Sequence, residues 1–328
     1  MDEFIVENLI SRLKDSEFGM SNAEGEWNWI NDNHRKEYLE SIFSRNWALL
    51  HDLLMDPLNA KVAYGIMTPI DSLNENNLFN NDFNTDLSII TKLYGAQGLE
   101  ILKHSECLKH PWSDQTEIYM TYPDSPRHAH FARQLVKIAP PTMIGVEIGS
   151  GYGGMSYFLK KFGFKEKIVD CDLLETLLIA FVFLSFNKIR VELCLTREHL
   201  LKAMSGDAEV ILIIPSLFEV LQEIGDVGFA FNSRSLSEMS EAQSTEYLET
   251  LNTKISPTYI VSENAEELLF PDSIRHIEKI QDDLAAHLSN YKLNEKQRTK
   301  FMGGAGRYTT RVYANLRAKI DEMDTSKM

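Results

Sequence analysis

Apolar positions follow two regimes along the chain. Before about residue 125 they recur every three to four residues: Ile5, Leu9 and Leu13; Tyr38, Ile42, Trp47, Leu50 and Leu54; Leu87, Ile90, Leu93 and Tyr94. This spacing predicts three amphipathic helices, the second ending near Pro57. Residues 74–86, NENNLFNNDFNTD, read as an asparagine-rich loop between the second and third. From residue 143 onward, short continuous apolar runs alternate with helical patterns. Residues 143–148, 167–172, 209–216, 226–232 and 259–262 read as strands. The run EVILIIPS has the composition of a parallel strand covered on both faces. Residues 173–186 form a helix apolar nearly all round, and such a helix is normally buried. Residues 189–204 read as a short strand followed by a helix, and residues 241–254 as another helix. After Pro271, Ile274, Ile277, Ile280, Leu284 and Leu288 line one face of a long helix. Two strands, near 291–296 and 308–316, close the chain around Gly303, Gly304 and Gly306. The alternation implies an α/β sheet, and two closing strands with no helix between them imply an antiparallel end.

The stretch MIGVEIGSGYGGMSYFLKKF, residues 143–162, is a strand, a glycine-rich turn and a helix. Glycines let a ligand approach the main chain closely, and the helix start offers it unpaired N–H groups. Gly149, Gly151 and Gly154 satisfy the dinucleotide pattern G-x-G-x-x-G. Glu147, Gly149, Gly151 and Gly153 equally satisfy acidic-x-G-x-G-x-G, which is similar to the first motif of class I methyltransferases. Ser150 and Tyr152 lie within the turn, the first on the cofactor side and the second toward an acceptor. The second strand ends in Asp170 and Asp172. A carboxylate there can accept both ribose hydroxyls of an adenosine cofactor, and Asp172 lies nearer the end. Pro215 and Ser216, at the carboxyl end of the third apolar run, are placed for the adenine.

Net charge changes the range of partners. The chain has 328 residues, 44% hydrophobic and 25% charged, with a formal charge of −15. That balance opposes binding to a nucleic-acid backbone, where Lys and Arg must neutralise phosphates. Cys107, Cys171 and Cys194 are scattered and lack metal-ligand spacing, so no metal is expected and a reducing compartment is. No apolar stretch is long enough to span a bilayer, and the start is not that of a secretory signal. The expectation is a cytoplasmic protein with no membrane partner.

Pro123 and Pro126 break the chain before a helix over residues 127–138, with Ser125 placed to cap it. That helix delivers His128 and His130 near its start, and a histidine of near-neutral pKa is a natural general base. After the fourth long strand comes NSRSLSEM, residues 232–239. Its Glu238 is a third candidate base, and Arg234 a candidate contact for an anionic acceptor.

The order VEIGSGYGG, then DLLETLL, then FNSRSLSEM resembles bacterial sugar O-methyltransferases of class I fold, over roughly residues 120–265. The family's Asp-Leu-Pro-Glu segment has Leu174 in place of proline here. The resemblance implies a Rossmann-like sheet with an antiparallel C-terminal strand, preceded by a mainly helical region. It implies S-adenosylmethionine as cofactor and a sugar or similar hydroxylated small molecule as acceptor. Asp172 carries over as the ribose ligand, and Asn232, Ser235 and Glu238 as site-lining residues. On this reading residues 126–328 bind the cofactor, and residues 1–125 serve as a lid, acceptor or homodimer surface. Two rivals stand beside it: an NAD(P)-dependent oxidoreductase using the same glycines, and a catalytically silent methyltransferase-like binding protein. A nucleic-acid methyltransferase is disfavoured by the charge and by the lack of an Asn-Pro-Pro-aromatic motif after the fourth strand.

Overall fold

The computed structural model describes residues 3–18, 31–32, 35–57, 62, 77–102, 124–266, 280–299, 301 and 308–317. Its N-terminal part is helical: α1 (Glu3–Lys14), α2 (Lys36–Phe43), α3 (Trp47–Met55), α4 (Asn77–Tyr94) and α5 (Gln97–Ile101). The expected single helix from Tyr38 to Leu54 is two, because the chain turns at Arg45, whose φ of 56° is left-handed. The asparagine-rich stretch is not a loop from Asn77 on. It forms the first half of α4, whose buried Ile90 and partly buried Leu87 and Ile89 pack into the core. Residues 74–76 lie outside the described residues.

The remainder alternates as expected: α6 (Ser125–Ile138), β1 (Ile144–Ile148), α7 (Gly154–Lys161), β2 (Ile168–Cys171), α8 (Leu174–Phe186), β3 (Val191–Cys194), α9 (Arg197–Ser205), β4 (Val210–Ile213), a 3-10 helix (Pro215–Glu223), β5 (Val227–Ser233), α10 (Ser235–Glu238), α11 (Glu241–Thr250), β6 (Tyr259–Ala265), α12 (Gln281–Ala285), β7 (Tyr291–Arg298) and β8 (Tyr308–Asn315). Ser125 lies inside α6 instead of capping it; Asp124 takes the cap position without a side-chain cap bond. The long helix expected after Pro271 does not pass through Ile280, which is extended, and a helix starts at Gln281. Ile274, Ile277 and the three glycines Gly303, Gly304 and Gly306 lie outside the described residues.

The eight strands form one sheet in the order β3-β4-β2-β1-β5-β6-β8-β7. Every neighbouring pair from β3 to β6 is parallel, and β8 runs antiparallel between β6 and β7. This is the class I methyltransferase arrangement, with β3 added at the edge beside β4. Alternation along each strand serves two cores. Val210 and Leu212 join Phe229 and Phe231 beneath α6, α7 and α8; Ile211 and Ile213 join Val146 and Ile148 beneath α9 and α11. Helix α8 is buried from Leu174 to Leu184 because α1 covers its outer side. The first core is continuous with Val6, Leu9, Ile42 and Leu50 of the N-terminal helices.

Gly145 shows how tight the first core is. A Cβ there would run into the Phe229 ring on the neighbouring strand. Gly145→Ala is expected to destabilise the fold by about 1–3 kcal/mol through overpacking. Urea unfolding should show part of this loss recovered in a Gly145→Ala, Phe229→Leu double variant. Full additivity of the two changes would show that the collision is not the cause.

Candidate active site

The glycine turn follows β1 at the carboxyl end of the parallel strands, where open α/β sheets bind ligands. Gly149 has φ +74°, and a side chain on it would collide with Ser235. The turn is tied to β2 through Asp172. One carboxylate oxygen of Asp172 accepts the Gly151 N–H at 2.8 Å, and the other accepts the Leu173 N–H at 2.7 Å. Both bonds favour the ionised carboxylate, yet burial outweighs them and pushes Asp172 up to about 7.

Glu147 and Asp170 are register partners on adjacent strands, so both point to the α7 side of the sheet. Asp170 accepts the Ser156 hydroxyl at 2.7 Å. Burial pushes it up to about 7, and burial together with Asp170 and Asp172 holds Glu147 well above the usual carboxylate range. Asp170 thus turns away from the turn's open side, and the structure brings Asp172 alone of the two acids to it. Glu147 Oε2 and Ser150 Oγ are buried with no hydrogen-bond partner among the described residues. Pro215 and Ser216 are exposed at the start of the 3-10 helix after β4.

Beyond β5 the structure revises several expected roles. Asn232 is buried, and its carboxamide is committed internally: Nδ2 donates to Ile148 O at 2.8 Å and to Ser235 Oγ, and Oδ1 accepts from Asn264 Nδ2 at 2.8 Å. Ser235 Oγ in turn donates to Ile148 O at 3.0 Å. Both residues brace the turn from behind. Arg234 is buried with a left-handed φ of 70°, its guanidinium 3.7 Å from Glu263 and 4.3 Å above the Tyr308 ring. It is paired inside the protein and is not presented to an anionic acceptor. Tyr152 is also buried, edge-on to Phe183, with its hydroxyl 3.3 Å from His128 Nδ1. It faces the helix layer instead of an acceptor.

The two histidines leave α6 on different sides. His128 is pulled down to about 3 by burial and Arg127, and His130 to about 4 by burial. Both are neutral at pH 7. His128 meets Tyr152, whereas His130 Nδ1 lies 2.9 Å from the Tyr94 hydroxyl of α4 and its ring 5.2 Å from Phe301. Glu238 ends α10, half-buried.

Two groups that matter here were missed from sequence. Arg127 donates to Glu263 at 2.9 Å, to Asp124 at 2.7 Å and to Ser233, fastening α6 across the ends of β5 and β6. Burial opposes its charge, but Asp124 and Glu263 more than offset this and hold Arg127 above its ordinary value. Glu263 lay one residue past the expected end of its strand; an acid continuing an apolar run was the available signal. The other group joins the N-terminal helices to the cofactor side. Asn31 Nδ2 donates to Glu175 Oε1 at 3.0 Å, and the Tyr38 hydroxyl donates to the Glu175 carbonyl at 2.7 Å. The charge of buried Arg35 reaches Glu175 and Asp172 from the same side.

No family model and no curated protein matches the chain. Some solved structures are similar to it. One is the small RNA methyltransferase HEN1, at 14% identity over 59% of this chain and 25% of that one, with a TM-score of 0.43. Another is a TehB-like SAM-dependent methyltransferase from Corynebacterium glutamicum, at 13% over 56% and 86%, TM-score 0.37. A third is an O-methyltransferase family 2 protein from Planctomyces limnophilus in complex with apigenin, at 10% over 58% and 57%, TM-score 0.40. The chain therefore spans a quarter of the length of HEN1. At such identities and scores these likenesses carry no assignment, and the fold rests on the strand order.

Two measurements check the electrostatics. Asp170 keeps its proton in the folded chain up to about pH 7 but loses it near pH 4 when unfolded. The folded state binds more protons in between, so this residue's contribution to stability falls as pH rises. Asp170→Asn should therefore gain stability relative to wild type between pH 5 and 8, by on the order of 1 kcal/mol or more. The buried histidines act oppositely below pH 6.5, so the variant-to-parent difference is the quantity to follow by urea unfolding; a pH-independent difference would refute the account. Separately, Glu263→Leu leaves Arg127 and Arg234 without their shared carboxylate and should cost about 3–5 kcal/mol, read from the same unfolding curves. A cost under about 1 kcal/mol would mean the arginines re-pair at once.

Proposed function

We propose that this chain is an S-adenosylmethionine-dependent methyltransferase acting on a hydroxyl of a small molecule. The observation that carries the reading is the acid-x-Gly-x-Gly-x-Gly turn facing Asp172 at the carboxyl end of β1 and β2. The closing pair, with β8 antiparallel to both β6 and β7, weighs against the NAD(P) alternative, because the paired halves of a doubly wound dinucleotide sheet are built of parallel strands. The sugar class of the acceptor is drawn from the sequence resemblance.

The residues present fit that cofactor. Asp172 accepts one main-chain N–H per oxygen, from Gly151 of the turn and from Leu173, which leaves acceptor capacity for a ribose diol. Ser150 Oγ, within the turn, is a buried polar atom with no hydrogen-bond partner among the described residues. Gly149, Gly151 and Gly153 take positive φ, the conformation that folds this tight turn toward Asp172. Pro215 and Ser216 would flank the adenine. When bound, the cofactor supplies an electrophilic methyl group on a sulfonium.

What the protein must add is position and a proton acceptor. Orientation alone can lower such a barrier substantially. We assign proton removal to Glu238, which follows the strand whose end opens beside the turn. His128 fits the role poorly, being buried, too weakly basic once pulled down to about 3, and within 3.3 Å of the Tyr152 hydroxyl.

The test is calorimetry with S-adenosylhomocysteine, followed by turnover on a panel of glycosides, nucleotide sugars and small hydroxy compounds. Wild type should bind, and Asp172→Ala should bind about 10- to 100-fold more weakly. Glu238→Gln should bind the product as well as wild type but lose about 10²-fold or more in kcat. Absence of binding by wild type sinks the reading, and full activity in Glu238→Gln removes only the base.

A further inference from the structure

A second feature lies on the α6 side of the sheet, toward its β7–β8 edge. Between α4, α6 and the β7–β8 hairpin is a cavity of about 230 Å3. None of the glycine-turn residues lines it. Its sheet wall includes Thr310 of β8, which stands two strands from β5, or about 10 Å across the sheet. The size falls just below the range of about 300–1,000 Å3 usual for drug-sized ligands, so it suits one ring and a substituent.

The lining has a definite chemistry. Three rings, His130, Phe131 and Phe301, face it, and Leu93 at its edge is 52% exposed. The His130–Phe301 and His130–Phe131 centroids are 5.2 and 5.5 Å apart, spacing suited to aromatic packing. His130 spends Nδ1 on Tyr94, and its Nε2 has no hydrogen-bond partner among the described residues. The charged groups on the wall are Lys92 and Arg298, both exposed, and neither forms an ion pair among the described residues. In a chain of net charge −15, an aromatic cavity bordered by two cations is selective by sign as well as shape. Glu263 acts by its charge on His130, and another acid, Glu295, lines a smaller cavity of about 30 Å3 alongside, together with Gln134, whose Oε1 is buried with no hydrogen-bond partner among the described residues.

We propose that this cavity is a binding site for a small aromatic carboxylate, its ring among His130, Phe131 and Phe301 and its carboxylate at Lys92 and Arg298. The site stands apart from the methyl-donor reading, since no residue of the glycine turn takes part. Neutral His130 offers its remaining ring nitrogen to a substituent without adding charge. The cations supply charge-assisted hydrogen bonds of the kind that fix a carboxylate's orientation.

The experiment is calorimetry on the full chain with benzoate, 4-hydroxybenzoate and cinnamate, each against benzyl alcohol, with and without S-adenosylhomocysteine. At least one carboxylate should bind with one site per chain and at least 10-fold more tightly than the alcohol. A Lys92→Gln, Arg298→Gln double variant should lose that preference while keeping the wild-type melting temperature, because both side chains are exposed. Phe131→Leu should weaken binding of ring and alcohol alike. No binding by any of the three acids, equal binding of benzyl alcohol, or an unchanged preference in the double variant overturns the proposal. Aromatic-acid binding that persists in a chain unable to bind S-adenosylhomocysteine would uphold this site while defeating the methyltransferase reading.

Discussion

The carboxamide of Asn232 is the point to which the ends of the sheet are tied. One side chain donates to the last carbonyl of β1, accepts from Asn264 on β6 and holds the hydroxyl that starts α10. A buried amide left half-satisfied would cost more than an apolar residue in its place. These bonds therefore fix the spacing of β1, β5 and β6 relative to the glycine turn. Ser235, drawn in by the same amide, fills the space where a side chain on residue 149 would go. The open turn and the closed network behind it are consequences of one packing solution.

Around that tie the protein buries charge in opposed ways. On the α7 side, Glu147, Asp170 and Asp172 stand close together with few cationic partners, and burial favours their protonated forms. At the ends of β5 and β6, Asp124, Arg127, Glu263 and Arg234 balance one another and stay ionised. The first cluster suits a site that exchanges protons or hydrogen bonds with a polar ligand. The second suits a clamp, holding α6 where both His128 and His130 are placed.

Much of this was legible in the residues. The strands were, because runs such as EVILIIPS leave a parallel core as their natural setting, and the reversed closing strand followed from the absence of an intervening helix. The glycine turn and Asp172 were legible because backbone chemistry there depends on residue type. Of helix α4 only the second half was: asparagine favours loops in isolation, and the first half is helical because it continues a helix anchored by the packing of Leu87, Ile89 and Ile90. Nor were the inward roles of Asn232, Arg234 and Tyr152. A polar residue beside a motif reads as a ligand contact until its partners are known, and those partners, Asn264, Glu263 and His128, come from distant segments.

The added edge strand bears on association. An edge strand offers unpaired backbone groups to any passing chain. β3 is only four residues long, and its central Glu192 is engaged by Arg12 of α1 and lies 3.4 Å from His199. The opposite edge, β7, is guarded differently, with Lys292, Glu295, Lys296 and Arg298 along its length. One border of the sheet thus carries an ion pair made with the first helix, and the other carries its own charges. Arg12 of the first helix lends the β3 edge a charged pair, and charge on an edge makes it a poorer template for a ninth strand.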